Sequence, residues 1–199
     1  MTEREKSLNL WKWFGIGCGG CLLTSILAIA GLGYFIHKNL QFSTNSEEVL
    51  ARADTFFAYE IPGGSRGLAR FKFIDIEFTQ ISNQNTPLEV LLLLGKAPER
   101  YGVDRGDLES ISNFFVDNRN INFKIESETT SEKELCDRTV SVLIQQGELT
   151  IEGQSDPKPA SSYTATVNYN NSVRFVWSIA TGSESNEKAS QVFDSLECK

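Results

Sequence analysis

Apolar and polar positions follow two different rhythms along this chain, and the change from one to the other marks its elements. In residues 14–36 no charge interrupts an apolar run of 23 positions. At 1.5 Å per residue a helix of that length is about 34 Å long, enough to cross a hydrocarbon core of ~30 Å. Trp11, Lys12 and Trp13 on one side, and Tyr34, His37 and Lys38 on the other, have the character of interfacial anchors. Residues 14–36 are therefore predicted as a transmembrane helix, 1–13 as a cytoplasmic N-terminus and 37–45 as a short tether. Arg4, Lys6 and Lys12 place the N-terminus inside. The expectation is a single-pass cell-membrane protein, held in the lipid bilayer through 14–36, whose residues 46–199 form an extracytoplasmic domain. Ala28-Ile29-Ala30 leaves a cleaved signal peptide and a secreted form as the alternative, but the apolar run continues to Ile36, which favours an uncleaved anchor.

Beyond the tether the spacing changes. Thr44 with Glu47, or Asn45 with Glu48, has the spacing of a capping box, and Val49, Leu50, Ala53, Phe56 and Phe57 then recur at helical intervals. Pro62-Gly63-Gly64 ends that unit. Residues 71–81 alternate as a strand, with Ile74, Ile76 and Phe78 on one face and Asp75 and Glu77 on the other. Residues 88–94 are almost wholly apolar, the pattern of a central strand covered on both faces. A second helix, capped by Asp104 or Asp107, would carry Leu108, Ile111, Phe114 and Phe115. Ile121, Phe123 and Ile125 alternate next. A hairpin turning at Gln146-Gly147 is predicted between 140–144 and 149–151, and 153–162 reads as a loop. Residues 163–169 and 173–179 form a hairpin through Asn170-Asn171, two residues that tolerate the left-handed conformation. A last helix over 184–196 turns Ala189, Val192, Phe193 and Leu196 inward. The fold class expected is α+β: after the transmembrane helix, one domain with a mainly antiparallel sheet packed by helices.

This plan resembles the PsbP-like α/β/α sandwich, through its N-terminal helix, the turn Tyr59-Glu60-Ile61-Pro62-Gly63, the strand meander and the C-terminal helix over 46–198. The chain also resembles bacterial single-span membrane-anchored proteins of uncharacterised function, which pair a Gly-Cys-Gly-Gly-type helix with a small exported domain. The first resemblance implies a non-catalytic binding or assembly module and carries no functional residue onto this chain.

Charge sharpens the picture. Residues 1–38 hold four basic and two acidic side chains, leaving 15 basic and 24 acidic, a balance of −9, in 39–199. An acidic domain repels phosphate backbones, so nucleic acid is not an expected partner. A protein partner at the membrane is expected. Gly15 and Gly19, at the spacing that lets two membrane helices approach closely, make a homodimer possible through that face. Cys18 and Cys21 lie in the same apolar run, where packing explains them better than redox or zinc chemistry.

Catalytic groups are sparse. The single histidine, His37, lies at the membrane edge, which leaves no Ser-His-Asp or Cys-His arrangement in the domain and no expected metal or cofactor. Asp104, Asp107 and Glu109 lack the pattern of a calcium loop and read as helix caps. Asp75 and Glu77 are the candidate acid and base of an alternative, hydrolase-like enzyme. Arg66, Arg70 and Lys72, set among glycines in a segment read as a loop, 63–72, are the candidate ligand-binding residues, able to hold a carboxylate, phosphate or headgroup. Cys136 and Cys198 form an even pair, a disulfide candidate in an oxidising compartment. A binding module is therefore the leading expectation.

Overall fold

The computed structural model describes residues 39–84, 89–102, 121–151 and 156–199. The chain divides into two compact units, Met1–Leu40 and Gln41–Lys199, and the sheet belongs to the second. The strands are β1 (Leu40–Ser43), β2 (Phe57–Ala58), β3 (Ser65–Phe73), β4 (Ile76–Asn83), β5 (Val90–Pro98), β6 (Ile121–Leu135), β7 (Arg138–Ile151), β8 (Lys158–Tyr169), β9 (Ser172–Thr181) and β10 (Glu197–Cys198). Among the described residues the helices are α1 (Ser46–Ala53) and α2 (Ser185–Asp194). Eight strands form one sheet in the order β1-β3-β4-β5-β9-β8-β7-β6, and β2 pairs with β10 separately. Two antiparallel meanders, β3-β4-β5 and β6-β7-β8-β9, thus join side by side through the antiparallel pair β5 and β9.

The central strands are apolar on both faces because both faces are buried. In β5, Val90, Leu92 and Leu94 join the buried residues of α1 and α2, while Leu91 and Leu93 join Phe78, Phe175, Trp177 and Ile179 on the other side. The helices are short and one-sided. Asn45 caps α1 by accepting from the backbone N–H groups of Glu47 and Glu48 at 3.0 and 3.3 Å. The helix ends at Ala53, so Phe56 and Phe57 lie beyond it, with Phe57 in β2. α2 buries Ala189, Val192 and Phe193.

Several expectations are corrected. The chain is dominated by antiparallel sheet, and the buried residues of both described helices belong to one face only, so the helix-packed PsbP-like sandwich is not the fold observed. Among the described residues no helix is long and apolar enough to cross a membrane. With eight and ten residues, α1 and α2 reach about half the ~20 needed. That finding corrects the single-pass, signal-anchored localisation and the extracytoplasmic placement built on it. The predicted span 14–36, Gly15, Gly19, Cys18, Cys21, His37 and the helix expected from Asp104 to Phe115 lie outside the described residues.

Two turns also move. Residues 71–81 are not one strand: Phe73 pairs with Ile76, and Ile74-Asp75 is a two-residue turn between β3 and β4. The β6–β7 hairpin turns at Cys136-Asp137, where both residues have positive φ, and β7 runs unbroken through Gln146-Gly147. Gly147 has a different reason to be glycine. β6 bulges between Ile125 and Ser127, and a Cβ on Gly147 would lie 1.9 Å from the Lys124 carbonyl oxygen. The turn at Asn170-Asn171 has positive φ at both residues, as a tight hairpin requires.

Candidate functional site

Four charged residues stand in one row across the sheet. Lys72 of β3 lies opposite Glu77 of β4, Glu77 opposite Lys96 of β5, and Lys96 opposite Arg174 of β9. Neighbouring strands are about 4.8 Å apart, so the row places three cations and one anion within about 15 Å. Strand alternation puts their apolar neighbours on the other face. There Phe71 stacks on Phe78 with centroids 4.8 Å apart, and Phe175 covers Gly95 so closely that a Cβ would lie 2.0 Å from the ring.

Glu77 is 1% exposed and fully engaged. Arg52, in the last turn of α1, donates from Nε to its Oε1 at 2.7 Å and from Nη2 to its Oε2. Arg70 donates from Nε to Oε1 at 2.8 Å and from Nη1 to Glu48 at 2.6 Å. Burial pushes the Glu77 carboxyl upward, but the hydrogen bonds from the two arginines outweigh it and hold it below the usual carboxylate range. A carboxylate kept ionised in this way is a structural anchor.

The rest of the row has no such partner. Among the described residues neither Lys72 nor Lys96 makes an ion pair. The Lys96 Nζ sits 5.3 Å from the centre of the Phe56 ring, and burial, followed by the charge of Arg52, lowers its pKa. Arg174 is 6% exposed. It donates from Nη1 to the Phe56 carbonyl and from Nη2 to the Lys199 backbone oxygen at 2.8 Å, while its Nε is buried without a partner among the described residues. Burial lowers its pKa as well. Rings of Phe57 and Tyr169 flank the guanidinium at 5.9 and 5.5 Å.

These side chains line a hollow of about 510 Å³ at one end of the sheet. Its rim is made by the β3–β4 turn, the 3-10 turn Glu99–Tyr101 and the β8–β9 turn. Arg100 bonds Asp75 across that rim and stacks on Tyr101 at 5.2 Å. Five cations (Arg52, Lys72, Lys96, Arg100 and Arg174) face two carboxylates, Asp75 and Glu77, and each carboxylate is already bonded to an arginine. Such a surface attracts anions, in a region whose total charge is negative. Among the described residues no group of three or more His, Cys, Asp or Glu is placed to hold a metal.

The predicted binding residues are separated. Arg66 is exposed and pairs in register with Ser82, Arg70 supports Glu77 and Glu48, and only Lys72 lines the hollow. Residues 65–73 form a strand, not a loop. Asp75 and Glu77, expected together on one strand face, are split between an exposed turn and a buried site. Arg52, Lys96, Arg100 and Arg174 were not singled out from sequence. The available signal was a charge inside an apolar strand, at Lys96 after four leucines and at Arg174 between Val173 and Phe175.

A second hollow, of about 440 Å³, adjoins Tyr169. It is lined by Glu134, Asp137, Asp194 and Glu197, and by Cys136 and Cys198, which are joined as a disulfide with Cα atoms 5.0 Å apart. Compared with known proteins, the chain matches no family model and no curated protein sequence.

Proposed function

We propose that this protein is a non-catalytic binding module whose cationic hollow takes a small anionic ligand carrying phosphate or carboxylate groups. The observation that carries the reading is the pair Lys96 and Arg174, two cations directly opposite each other on adjacent strands with no Asp or Glu side chain bonded to either among the described residues. Like charges in that position destabilise a sheet. An anion between them offsets the repulsion. The polar lining favours a strongly hydrophilic ligand, and the volume lies within the range of small-molecule sites.

The enzyme reading has less support. Its acid and base would be Asp75 and Glu77, yet Glu77 is locked by two arginines and Asp75 is bonded to Arg100. An acid catalyst needs a carboxyl that holds its proton near working pH, the opposite of the shift at Glu77.

Titration calorimetry of the full chain with inorganic phosphate, pyrophosphate and citrate at low salt tests the proposal. Binding of at least one anion is expected, weakening as salt rises and falling about tenfold or more in Lys96→Met, since charge-assisted contacts are the strong ones. If none of the three anions binds, or if Lys96→Met binds as tightly as the parent, the reading fails.

A further inference from the structure

Arg174 is held from behind by the end of the chain. Its Nη2 bonds the Lys199 backbone oxygen at 2.8 Å, next to disulfide-bonded Cys198. The Lys199 N–H donates to the Phe56 carbonyl at 3.2 Å, the same oxygen that receives Arg174 Nη1. Glu197 and Cys198 pair with Ala58 and Phe57 in a ladder only two residues long. Phe56 and Phe57 in turn underlie the cations: Arg52 and Lys96 each lie 5.3 Å from the Phe56 ring, and Arg174 stacks on Phe57.

We infer that the Cys136–Cys198 disulfide is a redox control on the anion site, tying a C-terminal strap that holds Arg174 and the two phenylalanines in their binding arrangement. The inference rests on the reading of the hollow as an anion site. An isolated two-residue ladder is too small to be stable by itself, so the covalent tie to the β6–β7 turn keeps the strap docked. A dithiol reductant reaches the bond through the second hollow, where Cys198 is partly exposed. It delivers two electrons and two protons, leaving Cys136 and Cys198 as thiols while its own sulfurs close into a disulfide. The strap then keeps only its two-residue ladder and a few hydrogen bonds, and it frays. Arg174 loses one backbone oxygen, and the side chains must be ordered again each time an anion binds. The body of the domain does not depend on the strap. Ser195, before it, accepts from the Glu60 N–H at 2.9 Å, and α2 remains packed by Ala189, Val192 and Phe193.

The test compares pyrophosphate affinity of the oxidised full chain, the chain reduced with dithiothreitol, and the double variant Cys136→Ser/Cys198→Ser, with circular dichroism reporting the fold. Reduced and double-variant proteins should bind about tenfold more weakly, and equal or tighter binding overturns the proposal. A second variant guards against loss of fold on reduction: deletion of Lys199 leaves the disulfide intact and removes the backbone oxygen that Arg174 uses. Affinity should fall at least about threefold, as expected when a hydrogen bond to a charged group is lost; unchanged affinity again overturns the control. If the oxidised parent binds no pyrophosphate, phosphate or citrate, the anion site itself fails, a result distinct from binding that ignores the disulfide.

Discussion

The two hollows at this end of the sheet have opposite charge and different histories of burial. Around the disulfide, Glu134, Asp137, Asp194 and Glu197 are all exposed, and one of them, Asp194, bonds Lys133 at 2.7 Å. Water solvates such carboxylates wherever the chain leaves them, so their clustering carries little information. In the cationic hollow, Glu77 and Arg174 are almost wholly buried, and Lys72 and Lys96 half-buried. A buried charge is costly unless paired, and a buried cation beside another cation more so. The cationic side is therefore the one that asks for a function.

The comparison breaks most severely at Glu77. Glu77→Gln leaves Arg52 and Arg70 without their shared anion and should destabilise the domain by about 3 kcal/mol, read as a lower urea midpoint. The same group sets a pH dependence. Its folded-state pKa is lowered from 4.5, so its contribution is complete above about pH 4.5 and is lost as pH falls through the lower folded value. Urea midpoints should drop on acidification in the parent, and less steeply in Glu77→Gln.

In β6 and β7, which carry the acidic hollow at their Cys136-Asp137 turn, the largest effect is a matter of backbone, not charge. Gly147→Ala would drive a Cβ into the Lys124 carbonyl at the β6 bulge and should cost about 2 kcal/mol. Anion affinity of the folded fraction should be unchanged, because the bulge lies at the far end of β6 and β7 from the hollow. A loss of affinity equal to that of Lys96→Met would mean the two regions are coupled through the sheet.

Legibility in the sequence follows the same division. α2 was readable because it buries one face and exposes the other. Residues 163–179 were readable because polar side chains (Thr164, Thr166, Asn168, Arg174, Ser178) interleave with apolar ones around Asn170-Asn171, although β9 is buried on both faces. The outer part of β6, 126–135, was not: at the sheet edge its side chains are mostly exposed on both faces, and Glu126 to Glu134 carry no apolar rhythm. Gln146-Gly147 imitated a turn, while the true turn uses Cys136-Asp137, where cysteine gives no turn signal. The site was less legible than the fold. Arg52, Lys72, Lys96 and Arg174 come from four separate segments, and only strand register sets them side by side. Lys72 was singled out for its glycine-rich neighbours, the wrong reason for a residue that does line the hollow.

Lys96→Met sharpens the contrast because its two effects have opposite sign. Methionine keeps an unbranched apolar stem against Phe56 while removing the charge that faces Arg174. Relief of the cross-strand repulsion should raise stability by about 0.5 kcal/mol even as anion binding falls. Destabilisation together with retained binding would show that Lys96 serves the fold.

At the rim the expected effect is on stability alone. Ile74 occupies the first position of the two-residue β3–β4 turn with φ 56°, a conformation that glycine adopts freely and a β-branched residue adopts under strain. Ile74→Gly should therefore stabilise the domain by about 1 kcal/mol, measured as a higher urea midpoint. Its side chain is 37% exposed and Phe73 beside it 36%, so little packing is lost in exchange. The proposed anion contacts come from Lys96 and Arg174, deeper on β5 and β9, so pyrophosphate affinity should not change. A variant that gains stability and loses affinity would move the recognition surface outward, from the buried row to the strained turn at its edge.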